Sequence, residues 1–213
     1  MKRAVITGCT GAVGISLIEE LLANGWAVIA VPRVGSARRG AIPQHTNLQL
    51  VECNLEAIEE LPNLVSEICD VFFHLAWDGT YGEERLDCIR QNRNVEYTLR
   101  AVQVAKKMGC SVFIGAGSQS ECGHVDGVLH PDIMCKPDNP YGAAKLSACH
   151  SSRVLCGQLG LRHVWCRILS MYGPYDGDYT LIMSLIRSLM AGECPACTQG
   201  DQVWDYIYNK DAA

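Results

Sequence analysis

No stretch of the sequence approaches the ~18 consecutive apolar residues that a membrane span requires. The start Met1-Lys2-Arg3-Ala4-Val5-Ile6 mimics a signal peptide, but Thr7-Gly8 interrupts its apolar run. A basic excess is missing too. Eighteen Lys and Arg against 23 Asp and Glu give a formal charge of −5, so neither nucleic acid nor an anionic lipid surface is expected as a general partner. There is no internal repeat, no low-complexity linker, and no second pair at zinc-finger spacing to accompany Cys194-Pro195-Ala196-Cys197, so no metal site is expected. The twelve cysteines are scattered and follow no secretion signal, which points to reduced thiols and a cytoplasmic protein. What remains is ordinary globular material: 213 residues, 48% hydrophobic and 19% charged, enough for one α/β domain with a small appendage.

Short apolar runs alternate with helical periods, the pattern of βαβ units around a parallel sheet. Strands are predicted at Arg3 to Thr7, Ala27 to Val31, Leu48 to Glu52, Val71 to His74, Ser111 to Gly115 and His163 to Ile168. Helices are predicted at about Ala12 to Ala23, Leu55 to Ile68, Glu84 to Met108, Tyr141 to Leu159 and Thr180 to Met190. Right-handed crossovers make this a doubly wound sheet with its ligand crevice at the carboxyl ends of the strands. The segment Gln119 to Asn139, with Gly123, Gly127, Pro131 and Pro137, reads as a long functional loop. After Tyr172 the pattern becomes irregular up to a strand-like Val203 to Tyr208. We therefore expect a nucleotide-binding domain over residues 1–170 and an incomplete substrate-binding region over 171–213.

Thr7-Gly8-Cys9-Thr10-Gly11-Ala12-Val13-Gly14 joins the first strand to the first helix. Glycines there allow a tight turn and close approach of a pyrophosphate to the free N–H groups of the helix start, so the turn is read as a dinucleotide cradle. An NAD-binding chain usually places an acid at the end of the second strand. Here the segment reads Val31-Pro32-Arg33-Val34-Gly35-Ser36-Ala37-Arg38-Arg39, without an acid. Arg33, Ser36 and Arg38 could receive a 2′-phosphate, which favours NADP over NAD.

Tyr141-Gly142-Ala143-Ala144-Lys145 sets a phenol and an ammonium four residues apart, on one helix face. A nearby ammonium lowers the phenol's pKa, so the pair can move a proton on or off a hydroxyl while a nicotinamide moves the hydride. Ser118, in Gly115-Ala116-Gly117-Ser118-Gln119-Ser120, lies at the same sheet edge as a holder of the substrate oxygen, with Ser120 as the competing candidate.

Together these residues resemble the extended short-chain dehydrogenase/reductase superfamily, in particular its NAD-dependent epimerase/dehydratase family, which acts on nucleotide sugars. The glycine turn matches TGxxGxxG, Phe73-His74-Leu75-Ala76-Trp77 is similar to the HxA segment, and Asn94-Val95 to the start of NVxGT. Arg167 to Pro174 resembles RxxNxYGP, and Trp204 to Asp211 resembles RDYxHVxD, with Ser170 and Trp204 replacing the usual Asn and Arg. Cys122 stands where the family often has Tyr, and Asn54 where it often has Asp.

The resemblance implies an NAD(P)-binding Rossmann fold with Tyr141, Lys145 and Ser118 as catalytic residues. Cofactor contacts are implied for Gly8, Thr10, Gly11, Ala12, Val13 and Gly14 in the turn, and for Arg33, Ser36 and Arg38 after the second strand. Further contacts are implied for Asn54 and Leu55, for Leu75, Ala76 and Trp77, and for Tyr141, Lys145 and Leu169, while Asn94 is implied to touch the cofactor or to order the site. The substrate side would be formed by Trp77, Ser118, Gln119, Ser120, Tyr141 and Ser170. The expected activity is epimerisation or reduction of a nucleotide-activated sugar, in a homodimer. Dehydration ranks lower, because only Glu121 supplies an acid near Ser118. The alternative is a non-catalytic dinucleotide sensor of the same fold.

Overall fold

A computed structural model describes residues 1–213. Six strands, β1 (Arg3–Thr7), β2 (Ala27–Val31), β3 (Leu48–Leu50), β4 (Val71–His74), β5 (Val112–Ser118) and β6 (Arg162–Ile168), form one sheet in the order β3-β2-β1-β4-β5-β6. Every pairing in it is parallel. This is the doubly wound Rossmann arrangement, whose strand order reverses between β1 and β4. In register, Thr7 faces Val31 on one side and His74 on the other, so three strand ends meet at the switch point.

At its centre the sheet is buried on both faces, because β1 and β2 are nearly continuous apolar runs, whereas no residue of the edge strands β3 and β6 is fully buried. Successive side chains alternate between two cores. Val5, Ile29, Phe72 and Phe113 face one core with α3 (Cys88–Lys107) and α4 (Pro140–Leu159). Ala4, Ile6, Val28 and Ala30 face the other with α1 (Ala12–Ala23). The fully buried rings of Phe72 and Phe113 stack at 5.9 Å and anchor the first core.

Capping explains where the long helices begin. Asp87 accepts hydrogen bonds from the N–H groups of Ile89 and Arg90, so α3 starts at Cys88. The expected start at Glu84 falls instead in a 3-10 turn, Gly82–Leu86. Asn139 caps α4 through the Gly142 N–H, Pro140 enters at the first turn, and Gly160 ends the helix at φ +69°. By contrast α1 has Gly11 at its cap position and no side chain bonded to its free N–H groups.

The predicted helix over Leu55 to Ile68 is corrected to a 3-10 segment, Leu55–Glu60, followed by a single turn, α2 (Leu61–Leu64). Pro62 has no N–H to continue the helical ladder, and Ala57 lies at φ −112°, so the segment is broken. The third strand ends at Leu50, two residues before the prediction. The carboxyl-terminal region contains β7 (Ser170–Tyr172), α5 (Leu181–Met190), β8 (Tyr206–Tyr208) and α6 (Asn209–Ala212). β7 was not predicted, and it pairs in parallel with β8 as a separate two-stranded sheet. No helix is long and apolar enough to cross a membrane. All twelve cysteines are free thiols.

The glycine turn yields a test of packing. A Cβ on Gly14 would stand 2.5 Å from the Gly8 carbonyl oxygen and 2.7 Å from the Cys9 Cα, both backbone atoms that cannot swing aside. Gly14→Ala is expected to cost roughly 1–3 kcal/mol in denaturant unfolding through overpacking. A Cβ on Gly11 meets nothing nearer than 3.4 Å and the backbone there is extended, so Gly11→Ala should leave the unfolding midpoint unchanged.

Candidate active site

One open cleft of about 2040 Å3 runs along the carboxyl ends of the strands. That is about twice the upper range of a single drug-sized site, roughly 1,000 Å3, and leaves room for a dinucleotide and a second ligand. At its floor Gly8 adopts φ +69°, where a Cβ would lie 2.5 Å from the Ala76 nitrogen, so the β1 turn and the end of β4 touch through backbone alone. Thr7 links the same two strands. Its hydroxyl lies 3.0 Å from Nδ1 of His74 and accepts the Ala76 N–H at 3.4 Å. His74 is buried and held neutral, its pKa pushed down to about 3 chiefly by desolvation and secondarily by the Lys145 charge.

The uncapped amino end of α1, with Ala12, Val13 and Gly14, opens onto this floor beside Thr10 and Gly11. A dipole end with free N–H groups and no side chain in front of it suits an anion such as a pyrophosphate. Past β2, the Asn54 side-chain oxygen accepts the Val34 N–H at 3.0 Å and so shapes the arginine loop. Arg38 donates to the Tyr175 carbonyl across the cleft, whereas Arg33 is exposed and takes part in no ion pair. Ser36 and Leu55 line the same end.

At the other end the helix α4 brings Tyr141 and Lys145 to the cleft wall, both at least nine-tenths buried. The Lys145 ammonium donates to the Ala116 carbonyl at 2.7 Å and sits 3.7 Å over the Trp77 ring, but 5.8 Å from the Tyr141 ring. Burial is the main cause that pulls its pKa down to about 7. Burial also pushes the Tyr141 phenol up, while the Arg85 guanidinium and the Ser118 hydroxyl pull it back. Trp77 meets the Tyr141 ring edge-on at 6.0 Å and donates its indole N–H to Gln91 at 2.8 Å.

The two serines separate clearly. Ser120 carries Arg85 on its hydroxyl at 2.6 Å, whereas the Ser118 hydroxyl accepts backbone N–H groups of the turn that follows it, Ser120's among them at 3.2 Å, and keeps its own proton for the phenol. The Ser118 loop is held from behind by Glu121, which is fully buried. Its carboxylate accepts from the Ser118 N–H at 2.8 Å, the Trp165 indole at 3.0 Å and the Arg167 guanidinium at 3.0 Å. Glu121 therefore organises the loop and does not line the cleft.

All but one of the sequence-derived candidates line this cleft, including Leu75, Ala76, Leu169 and Gln119. The exception is Asn94. It is buried behind the wall, where it accepts from the Asp78 N–H at 2.8 Å and donates to the Asp78 carbonyl at 2.9 Å. Its bonds order the Trp77-Asp78 segment, and Asn94 itself does not line the cleft. Ser170 is bonded by both Gln119 and Trp204, so the two replaced family positions contact one another. Arg85 was missed in the sequence because it sits among charges in Gly82-Glu83-Glu84-Arg85, which reads as a solvated face.

The model of the NAD dependent epimerase/dehydratase family matches residues 4–213. The chain belongs to that family. Among its relatives is the dTDP-6-deoxy-L-talose 4-dehydrogenase (NAD(+)) of Aggregatibacter actinomycetemcomitans, 24% identical over 97% of this chain and 76% of that protein. The CDP-abequose synthase of Salmonella typhimurium is 24% identical over 99% of this chain and 67% of that one. Among solved structures, a UDP-N-acetylglucosamine 4-epimerase from Methanobrevibacter ruminantium, in complex with UDP-N-acetylmuramic acid, superposes with a TM-score of 0.87 at 22% identity. It covers 99% of this chain and 70% of its own. A UDP-glucuronic acid 4-epimerase from Bacillus cereus, bound to UDP-glucuronic acid and NAD, gives 0.81 at 21% identity, over 99% of this chain and 70% of its own. At these identities the superpositions establish the shared fold.

Lys145 generates a test with a definite sign. Its pKa in the fold is about 7 against 10.5 for an ordinary lysine, so the unfolded chain holds a proton that the native state gives up. Its unfavourable effect on stability is therefore absent above about pH 10.5, grows as the pH falls toward 7, and is constant below that. Lys145→Met is expected to stabilise the protein at pH 6 by about 2 kcal/mol, after the lost Ala116 hydrogen bond is deducted. In calorimetry that is a Tm rise of roughly 4–8 °C. A lower Tm than the wild type at pH 6 would contradict this reading.

Proposed function

We propose that this protein binds a nicotinamide dinucleotide along the cleft and acts on a nucleotide-activated sugar by hydride transfer, as an epimerase or ketoreductase. The observation that carries the reading is that Tyr141, Lys145 and Ser118 converge on the wall of the cleft whose floor is the uncapped start of α1. The names of the relatives, a nucleotide-sugar dehydrogenase and a synthase acting on a CDP-linked sugar, support the substrate class.

In this reading Gly8, Gly11 and the N–H groups of Ala12 to Gly14 would hold the pyrophosphate, and Lys145 and Trp77 would serve the nicotinamide end. Arg33 is the unpaired cation available to a 2′-phosphate, and no acid stands at the end of β2, which supports NADP over NAD. The bound dinucleotide supplies or accepts the hydride. Ser118 orients the reacting hydroxyl or carbonyl, and Tyr141 takes or returns its proton in the water-poor wall of the cleft. Dehydration would need a free carboxyl beside the phenol. Glu121 is bonded instead to Ser118, Trp165 and Arg167, which supports redox chemistry without loss of water.

Residues 1–170 would hold the cofactor and the proton-transfer groups, and residues 171–213 would form part of the sugar side through β7, α5 and Trp204. A homodimer through α3 and α4 fits the exposed apolar side chains Ile89 and Val154 on their outer faces. Twelve free thiols fit a reducing, cytoplasmic setting.

Tyr141→Phe should reduce turnover of a panel of keto-sugar nucleotides by about 10²–10⁴-fold, with the dissociation constant for NADPH unchanged. Unchanged turnover would reject Tyr141. NADPH binding in a wild-type protein that consumes none of the panel would favour the sensor reading. Gly11→Ala tests the cradle separately. Fluorescence titration should show NADPH affinity down at least about tenfold in a protein that still unfolds like the wild type.

A further inference from the structure

Arg85 stands in the 3-10 turn Gly82–Leu86, outside every motif singled out in the sequence, yet its guanidinium carbon lies 3.9 Å over the centre of the Tyr141 ring. Three anchors fix it there. One terminal nitrogen donates to the Thr80 carbonyl at 3.1 Å, the other to the Ser120 hydroxyl at 2.6 Å, and the planar group lies against the phenol face. Lys145, the cation expected from the sequence to act on the phenol, is 5.8 Å from the same ring and is drawn away to Ala116 and Trp77.

We propose that Arg85 is a positioning residue for the proton-transfer step: stacked on Tyr141 and tied to the serine loop through Ser120, it is the cation that sets the basicity of the phenol, with Lys145 acting from farther away. The inference rests on the reading of Tyr141 as the acid/base.

The physical case is one of charge and reach. Ionisation spreads negative charge from the phenol oxygen into the ring, so a cation on the ring face stabilises the phenolate far more than the neutral phenol. A guanidinium keeps its charge at every working pH, whereas the Lys145 ammonium, with a pKa near 7, is only partly charged at neutrality. The other groups facing the phenol are Ser118 from β5, Glu121 from the turn after it, Lys145 from α4, and Tyr81 and Trp77 from the connection between β4 and α3. Among them Glu121 carries the opposing charge, and it is already paired with Arg167. Burial raises the phenol's pKa, and Arg85 is the foremost influence that lowers it.

The test reads the phenol itself. In protein labelled at the tyrosine ring carbon that bears the oxygen, the Tyr141 NMR resonance is assigned by its loss in Tyr141→Phe, then followed with pH in the wild type, Arg85→Gln and Arg85→Lys. Arg85→Gln is expected to raise the Tyr141 midpoint by about one pH unit or more, a tenfold gain in proton affinity. Arg85→Lys, which keeps the charge but not the fork, should raise it by less than half as much. Any acid limb in the pH profile of kcat should move by the same amount as the midpoint. A midpoint that is the same in Arg85→Gln as in the wild type would overturn the proposal. So would equal shifts in the Gln and Lys variants, or a wild-type phenol that stays neutral up to the alkaline limit of the folded state. Because the resonance is read without substrate, a wild type that turns over no nucleotide sugar would refute the proposed activity while the titration still decides the role of Arg85.

Discussion

The turn at Gly8 passes so close to the chain at Leu75 and Ala76 that only hydrogen fits between them, and the rest of the site hangs on that approach. It brings the ends of β1 and β4 together where the strand order reverses, and Thr7 and His74 bond across the junction. From there Ala76 leads into Trp77, which carries Lys145 on its face and Tyr141 at its edge. A side chain at position 8 would open the floor of the cleft and shift the wall that carries Tyr141 and Lys145 in one movement.

A second constraint comes from behind. Glu121 is a fully buried carboxylate, and an unpaired charge in such a place would strongly destabilise the fold. It is paired with Arg167 and bonded to the Trp165 indole and the Ser118 backbone, so β5, β6 and the serine loop share one polar knot. The knot fixes the direction of Ser118. It also turns Ser120 toward Arg85, which couples the loop after β5 to the turn before α3. Two loops distant in sequence thereby hold one phenol.

Much of this was legible from the residues alone, for local reasons. Apolar runs such as Ala27 to Val31 declared buried parallel strands, and the order of the glycines after Thr7 declared the strand-to-helix turn. Tyr141 and Lys145 were legible because four residues on a helix make one face. What escaped was set by partners far away in the chain. The strand at Ser170–Tyr172 exists only through pairing with Tyr206–Tyr208. Pro62 broke a helix that the surrounding periodicity suggested. Glu121 stood in the sequence only as the one acid near Ser118, and its partners Arg167 and Trp165, more than forty residues later, share its oxygens only in the fold. Arg85 gave no signal, since only the fold lays it on the tyrosine. Asn94 was found as a residue of interest, but its bonds to Asp78 place it one layer behind the surface it helps to shape.

The low pKa of Lys145 reaches beyond stability. An amine that is half-protonated near neutrality is a proton store with an open door to the cleft. Any occupant that favours the ammonium, by hydroxyls or negative charge, draws a proton from the medium as it enters, and gives it back on leaving. Its apparent affinity then falls as the solution becomes more alkaline, and the heat of its entry depends on the ionisation enthalpy of the buffer that supplies the proton.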